Sequence, residues 1–189
     1  QLAVASLGAV FGQRFWAGGI VALQRADQEG PRIATAAAAD DTALTQVVRD
    51  CEALADRGLV VAERQALLGP EIGFRFVQPA DRTALLDVLA SESLRQLSQR
   101  AAVWLQMATA ERAGELAEVL APLWARAGDP VHAAHVYLRA GLAAAEEFRN
   151  DAARSLLEQA RALAPADQAH VHFESALALG GLAESDGRL

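Results

Sequence analysis

The chain contains no lysine, so all 17 of its basic residues are arginine. Phosphate-loop ATPases, pyridoxal enzymes and Schiff-base aldolases each need a lysine amine at the reacting centre. These 189 residues therefore cannot complete any of those reactions. The single cysteine, Cys51, cannot form an intramolecular disulfide, and its position among apolar residues at helical spacing predicts a small buried side chain.

Long apolar runs are also missing. No stretch of about 18 residues is apolar and free of charge, and residues 1–10 lack the basic start of a signal peptide. We therefore expect a cytoplasmic protein with no membrane partner. The chain begins with Gln1 rather than methionine, and we interpret it as a piece of a larger protein.

The composition predicts a mainly α-helical fold. Hydrophobic residues make up 52% of the chain but aromatic residues only 5%, because most of the apolar residues are alanine and leucine, which favour helices. The net charge of −7 disfavours a nucleic-acid or anionic-membrane surface spread over the whole chain.

Residues 1–78 are predicted to form three helices and a β-hairpin. The first helix covers residues 2–11 and ends at Gly12, and the second begins at Phe15 and runs to about residue 26. Residues 27–39 are predicted as a loop. A third helix begins after Asp40 and ends before Gly58, which suits a helix C-terminus.

After Gly58 the spacing of the apolar residues changes from the 3.6 residues of a helix to the two residues of a strand. Residues 59–64 and 72–77 are predicted strands, separated by a turn that contains Gly69 and Pro70. Three helices followed by a hairpin is the order of a winged-helix domain, whose third helix would read DNA. From Asp40 to Asp56, however, the sequence contains five acidic residues and only one basic residue, Arg49. The net charge of this segment is −4. We therefore expect little direct DNA contact, although a DNA-binding winged-helix transcriptional regulator remains the alternative interpretation.

Residues 79–111 are predicted as connecting helices, and residues 112–189 as the start of a helical repeat array. Tetratricopeptide repeats have a period of about 34 residues and two antiparallel helices. Gly141 and Ala153 would let the two helices approach closely. The residues that match the repeat positions are Tyr137, Ala140, Gly141, Ala144, Ala153, Leu157, Ala160 and Pro165.

A weaker match follows at Ala176, Leu179, Gly180, Ala183 and Gly187. In such repeats the concave groove is lined by the first helix of each pair. Its predicted protein-binding residues here are His135, Leu138, Leu142 and Glu146. If Leu138 and Leu142 are exposed, they would anchor a partner peptide or another domain. The sequence is equally consistent with their burial by neighbouring helices.

The order of these parts resembles a known family. The segments Phe11–Trp16, Leu54–Val60, Phe74–Phe76, Leu94–Leu97 and Ala102–Leu105 resemble the region after the nucleotide-binding module of STAND-type signal-transduction ATPases. That family includes large LuxR-type and MalT-like regulators and ATPases fused to kinases or adenylate cyclases. The resemblance covers residues 1 to about 165.

The resemblance implies a non-enzymatic segment that relays the nucleotide state of a parent chain to the repeats. ATP would bind that parent, and this segment itself would hold no cofactor. Protein partners or other domains of the parent would contact it, and oligomerisation is open. Several family positions differ here: only Arg82 fits, whereas Gln78, Thr83, Leu86 and Ser98 depart from the usual residues.

No set of residues supports catalysis. His132 and His135 are three apart and His170 and His172 two apart, but neither pair has a further ligand at a spacing suited to zinc. No nucleophile turn of the Gly-x-Ser-x-Gly kind is present. The carboxylates that could act in catalysis are predicted to lie on solvated faces; these are Asp40, Asp41, Glu71, Glu146 and Glu147.

Overall fold

The computed structural model describes residues 1–29, 41–63, 68, 71–109 and 116–185. The chain divides into two compact units, Gln1–Thr109 and Ala110–Leu189. In the described residues nine helices and one small sheet are present, which confirms a mainly α-helical fold. None of the helices in these ranges combines the length and apolar character needed to cross a bilayer.

The first unit begins with the predicted helix, α1 (Leu2–Phe11). Gly12 ends it with φ of 140°, a backbone angle that suits glycine. The next segment corrects the sequence interpretation, because Phe15 and Trp16 do not begin a helix but lie in strand β1 (Arg14–Trp16). Helix α2 (Ala17–Glu29) starts directly after that strand.

Helix α3 (Asp41–Asp56) follows and ends before Gly58, whose φ is 72°, as the sequence predicts. Its buried face is formed by Val47, Cys51 and Leu54 at spacings of four and three. The loop predicted over residues 27–39 is wrong at its start, because residues 27–29 belong to helix α2. The rest of that loop, the cap at Asp40 and the turn at Gly69 and Pro70 lie outside the described residues.

Strands β2 (Val60–Glu63) and β3 (Gly73–Phe76) form the predicted antiparallel hairpin. The sheet has a third member, since β1 pairs antiparallel with the other edge of β3, with Phe15 opposite Phe74. The strand order is therefore β1-β3-β2.

The core of the first unit is aromatic. Phe15 packs against Phe74 and Phe76, with ring centroids 5.8 and 5.2 Å apart, so the sheet presents a continuous apolar face. Phe11 lies edge-on to Trp104 at 5.6 Å. The contact joins α1 to a helix that follows the hairpin, and all five side chains are at most 7% exposed.

Two helices complete this unit: α4 (Pro79–Asp87) and α5 (Ser91–Thr109). Pro79 occupies the first turn of α4, where its missing N–H leaves no helical hydrogen bond unmade. Helix α4 packs on α1, and α5 packs on α1 and α2. Arg82 also donates a hydrogen bond to the carbonyl oxygen of Ala9, 3.1 Å away, which ties α4 to α1.

The second unit contains four described helices, each packed on the next. They are α6 (Ala117–Arg126), α7 (Pro130–Glu146), α8 (Asn150–Leu163) and α9 (Ala169–Ser185). Pro122 lies inside α6. Helix α9 also contacts α7, so the first and third helices of the run α7-α8-α9 are neighbours.

Candidate functional site

Helices α7 and α8 form a tightly closed hairpin. Three residues, Glu147 to Arg149, connect them. At the closest approach, a Cβ added to Gly141 would lie 2.8 Å from Leu157 Cγ and 3.2 Å from the Leu157 backbone nitrogen. Ala153 and Leu157 are fully buried. The pairing of Gly141 with a large residue of the second helix is thus a requirement of the packing.

The start of α7 is fixed by a cluster that the sequence interpretation missed. The Asp129 carboxylate accepts a hydrogen bond from the backbone N–H of His132 at 2.9 Å, and its other oxygen lies 2.7 Å from His132 Nδ1. Burial acts to raise the pKa of Asp129, but both hydrogen bonds from His132 outweigh it and lower that pKa.

The imidazole of His132 also stacks on the indole of Trp124, with centroids 4.9 Å apart and planes 27° apart. This contact joins the end of α6 to the start of α7. The available signal was the segment Asp129-Pro130-Val131-His132, in which an N-cap acid is followed by proline and, three residues on, by a histidine. His132 is therefore a structural residue of the α6–α7 junction.

The four predicted binding residues lie on α7 but differ in exposure. His135 and Leu142 are half-buried, and Glu146 is exposed. Leu138 is only 3% exposed, so its side chain packs inside the unit and does not meet the exposure that an anchor needs. The accessible part of the predicted face therefore consists of an imidazole, the partly covered side chain of Leu142 and a carboxylate.

Helix α9 brings further polar groups to this face. The ring of His170 lies 6.3 Å from that of His135, and its Nδ1 lies 4.0 Å from a carboxylate oxygen of Glu174. Within the described residues no group of three or more histidine, cysteine or acidic side chains could hold a metal ion. The arrangement offers hydrogen-bond donors and acceptors to a partner.

A shallow depression of about 310 Å³ lies between α8 and α9 and is lined by Glu158, Arg161, Ala162 and His172. Its charges are mixed. His172 Nε2 lies 3.1 Å from the carbonyl oxygen of Pro165, which holds the imidazole against the loop before α9. The depression therefore presents one carboxylate, one guanidinium and one imidazole to the solvent.

Large apolar side chains are exposed at two places in this unit. Phe148 is 90% exposed in the α7–α8 connection and has a φ of 58°. Phe173 and Leu177 are 65% and 63% exposed, and they are four residues apart on one face of α9. Apolar side chains grouped in this way mark contact surfaces more often than isolated ones do.

In the first unit, Glu71 is not on a solvated face as the sequence interpretation held. It is half-buried and accepts a hydrogen bond from the backbone N–H of Gly18, in the first turn of α2. A Cβ at Gly18 would lie 2.5 Å from Glu71 Oε2, so glycine is required for this approach. Burial raises the pKa of Glu71, and the hydrogen bond from Gly18 opposes that rise.

The surfaces that would meet DNA carry little free positive charge. On α3, Arg49 is exposed together with Glu52 and Asp56. In the sheet, Arg14 and Arg75 lie 2.9 and 3.8 Å from the same carboxylate oxygen of Glu63. Phosphate contacts need unneutralised cations, and these elements do not supply a cluster of them.

No family model, curated protein or solved structure matches this chain.

Proposed function

We propose that this chain is a non-enzymatic regulatory and protein-interaction segment of a bacterial multidomain signalling ATPase. Residues 1–78 of its first unit would be a winged-helix domain that contacts the nucleotide-binding module, followed by connecting helices. Its second unit would be the beginning of a tetratricopeptide-like array that receives the nucleotide state and presents a surface to partners.

The observation that carries this proposal is the contact of Gly141 with Leu157 inside the α7–α8 hairpin. The tetratricopeptide pattern predicts small residues where the two helices of a repeat cross, at Gly141 and Ala153. The close approach at Gly141 supports that pattern, with Leu157 as the neighbouring side chain. Helices α6 and α9 pack on either side of the hairpin, as preceding and following repeats would.

The winged-helix assignment is supported by three helices, α1 to α3, followed by an antiparallel hairpin. The additional strand β1 joins the hairpin into a three-stranded sheet, so the hairpin is anchored on the helices. That arrangement gives a rigid body that could transmit a displacement from one face to another.

DNA binding is the alternative function, favoured only by that element order. Two observations argue against it. Residues 40–56 carry a net charge of −4, and the carboxylate of Glu63 offsets one of the two positive charges of Arg14 and Arg75. The test is fluorescence anisotropy of labelled mixed-sequence duplex DNA with the whole chain at low salt. We expect no rise in anisotropy, and salt-sensitive binding would favour the alternative.

The protein-binding face would include His135, Leu142 and Glu146 of α7 together with His170 of α9. Such a face suits a polar peptide or another domain of the parent chain. We place the segment in the cytoplasm because its single, buried cysteine gives no disulfide framework.

The gene provides the direct test of the ATPase assignment. We expect the reading frame upstream of residue 1 to encode Gly-x-x-x-x-Gly-Lys-Ser/Thr, and the frame downstream of residue 189 to encode further repeats. A start codon directly before Gln1 and a stop codon after Leu189 would refute the proposal.

A further inference from the structure

The face of the sheet that points away from the aromatic core carries two arginine side chains. Because side chains alternate along a strand, Arg14 and Arg75 lie on the side opposite to Phe15 and Phe74. The two arginines are directly opposite each other in the β1–β3 register, and their side chains are 48% and 44% exposed. Like charges in opposite positions destabilise an antiparallel pair, so this arrangement favours an anion beside it.

Glu63 of β2 supplies one such anion. Arg14 Nε donates a hydrogen bond to Glu63 Oε1 at 2.9 Å, and Arg75 Nε lies 3.8 Å from the same oxygen. One carboxylate therefore offsets one of two positive charges, and a surplus of one positive charge remains. A guanidinium carries several N–H donors, of which Glu63 engages only the Nε donor of Arg14, so the others are left for a second acceptor.

Two other arginine–carboxylate pairs in the described residues are balanced by comparison. Arg95 lies 2.7 Å from Glu92, and Arg149 lies 2.7 Å from Glu147, each as a one-to-one pair. The pairing on the sheet thus differs from these two in its stoichiometry, because two guanidiniums share a single oxygen of Glu63.

We propose that Arg14 and Arg75 bind the carboxylate of an acidic side chain from a protein partner. A carboxylate carries the single negative charge that balances the surplus, and its two oxygens can accept hydrogen bonds from both guanidiniums. Val61 lies opposite Arg75 on the other side of β3 and is 39% exposed. An apolar residue next to the acidic one would pack on it. The fitting partner is therefore a segment in which an acidic residue neighbours an apolar one.

The size of the surplus distinguishes this ligand from a nucleic acid. The backbone of duplex DNA presents a row of phosphates, and its affinity comes from several cations that act together. A surplus of one charge suits one carboxylate. The site is independent of the proposed function, since it depends only on residues of the three strands, and it can be measured on the chain as it stands.

The experiment follows the arginine Nε–H signals of the whole chain by ¹H–¹⁵N NMR at constant ionic strength. The probe is the peptide acetyl-Glu-Val-amide, and acetyl-Gln-Val-amide is its uncharged counterpart. We expect the glutamate peptide to shift the signals of Arg14 and Arg75 with a dissociation constant on the order of 1–10 mM. The signal of Arg149 should not move, and the glutamine peptide should shift none of the three.

Three variants test the charge balance, with circular dichroism as the check that each is folded. Arg75→Gln leaves Arg14 and Glu63 as a one-to-one pair, so we expect binding to weaken about tenfold. Arg149→Gln is the matched control, because it removes an arginine of similar exposure from its pair with Glu147, and it should leave binding unchanged. Glu63→Gln removes the competing carboxylate and should tighten binding about threefold.

Four results would overturn the proposal. They are the absence of any shift with the glutamate peptide, equal shifts with the glutamine peptide, equal losses from Arg75→Gln and Arg149→Gln, and weaker binding by Glu63→Gln. Displacement of the bound peptide by a short DNA duplex would assign the two arginines to phosphate contacts instead, and would also contradict it.

Discussion

Gly141 and Leu157 are in contact across the α7–α8 hairpin so closely that a single added carbon would lie 2.8 Å from Leu157 Cγ. The contact sets the separation of the two helices, and it links the repeat pattern in the sequence to the packing of the second unit. Gly180 of α9 occupies an open position by comparison, with nothing within 4 Å of an added Cβ.

The same substitution should therefore have opposite effects at these two glycines. Gly141→Ala gains up to about 1 kcal/mol in helix propensity but overpacks the hairpin at a cost of about 1–3 kcal/mol, so we expect net destabilisation. Gly180→Ala meets no neighbour and should stabilise the chain by up to about 1 kcal/mol. Urea unfolding at low micromolar concentration measures both. Equal gains from both variants would show that the hairpin is loosely packed.

The cap of α7 gives a second prediction. Asp129→Ala removes the acceptor for the His132 backbone N–H and should cost about 0.5–2 kcal/mol. Asp129→Asn keeps an acceptor oxygen but loses the charge, so it should cost less at neutral pH. Thermal unfolding of the three proteins at pH 7 gives the comparison.

The lowered pKa of Asp129 adds a pH dependence with a defined sign. The unfolded chain takes up the proton at a higher pH than the folded chain does, so the stabilisation is present above the unfolded pKa and is lost as the pH falls. The advantage of the native protein over Asp129→Asn should shrink toward pH 3. A difference in stability between the two proteins that has not shrunk by about pH 3, below the ordinary pKa of an aspartate, would contradict the capping role.

Glu71 should show the opposite dependence. Burial raises its pKa, so the unfolded chain loses the proton first as the pH rises, and stability falls from the unfolded pKa up to the folded one. Glu71→Gln keeps an acceptor for the Gly18 N–H and removes this loss. We expect the variant to gain stability relative to the native chain as the pH rises from about 4, the ordinary range of a glutamate pKa. Parallel stability profiles for the two proteins would show that Glu71 is solvated.

Cys51 should be inert in the folded protein. Burial, followed by the negative charges of Asp50 and Glu52, raises its pKa to about 12, so almost no thiolate is present at pH 8. A disulfide reagent should label it at pH 8 only as fast as α3 opens, and at once in denaturant. Leu177→Cys, at a 63% exposed position, is the control that should react immediately in the folded state. Equally rapid labelling of Cys51 in the folded native chain would contradict its burial.

Local signals in the sequence predicted much of this fold. Helices α1 and α3 and the β2–β3 hairpin follow from apolar periodicity and from glycines at their ends. The close packing of Gly141 against the second helix was also predicted, because the repeat pattern places small residues where the two helices cross. That Leu157 is the side chain in contact there was not predicted.

Features that depend on distant residues were missed. Strand β1 is three residues long and exists because Phe15 pairs with Phe74, and no local pattern encodes that partner. The burial of Glu71 likewise depends on the approach of Gly18 from a distant part of the chain. On α7, apolar residues occupy several sides of the helix, so periodicity could not decide whether Leu138 is buried.

The relay from nucleotide state to repeats is the central claim, and amide hydrogen exchange of the complete polypeptide that the gene encodes tests it most directly. With ATP or ADP bound, we expect exchange to differ in α3 and the β2–β3 hairpin of the first unit and also in α6 to α9. Identical exchange in both nucleotide states, across both units, would contradict the account.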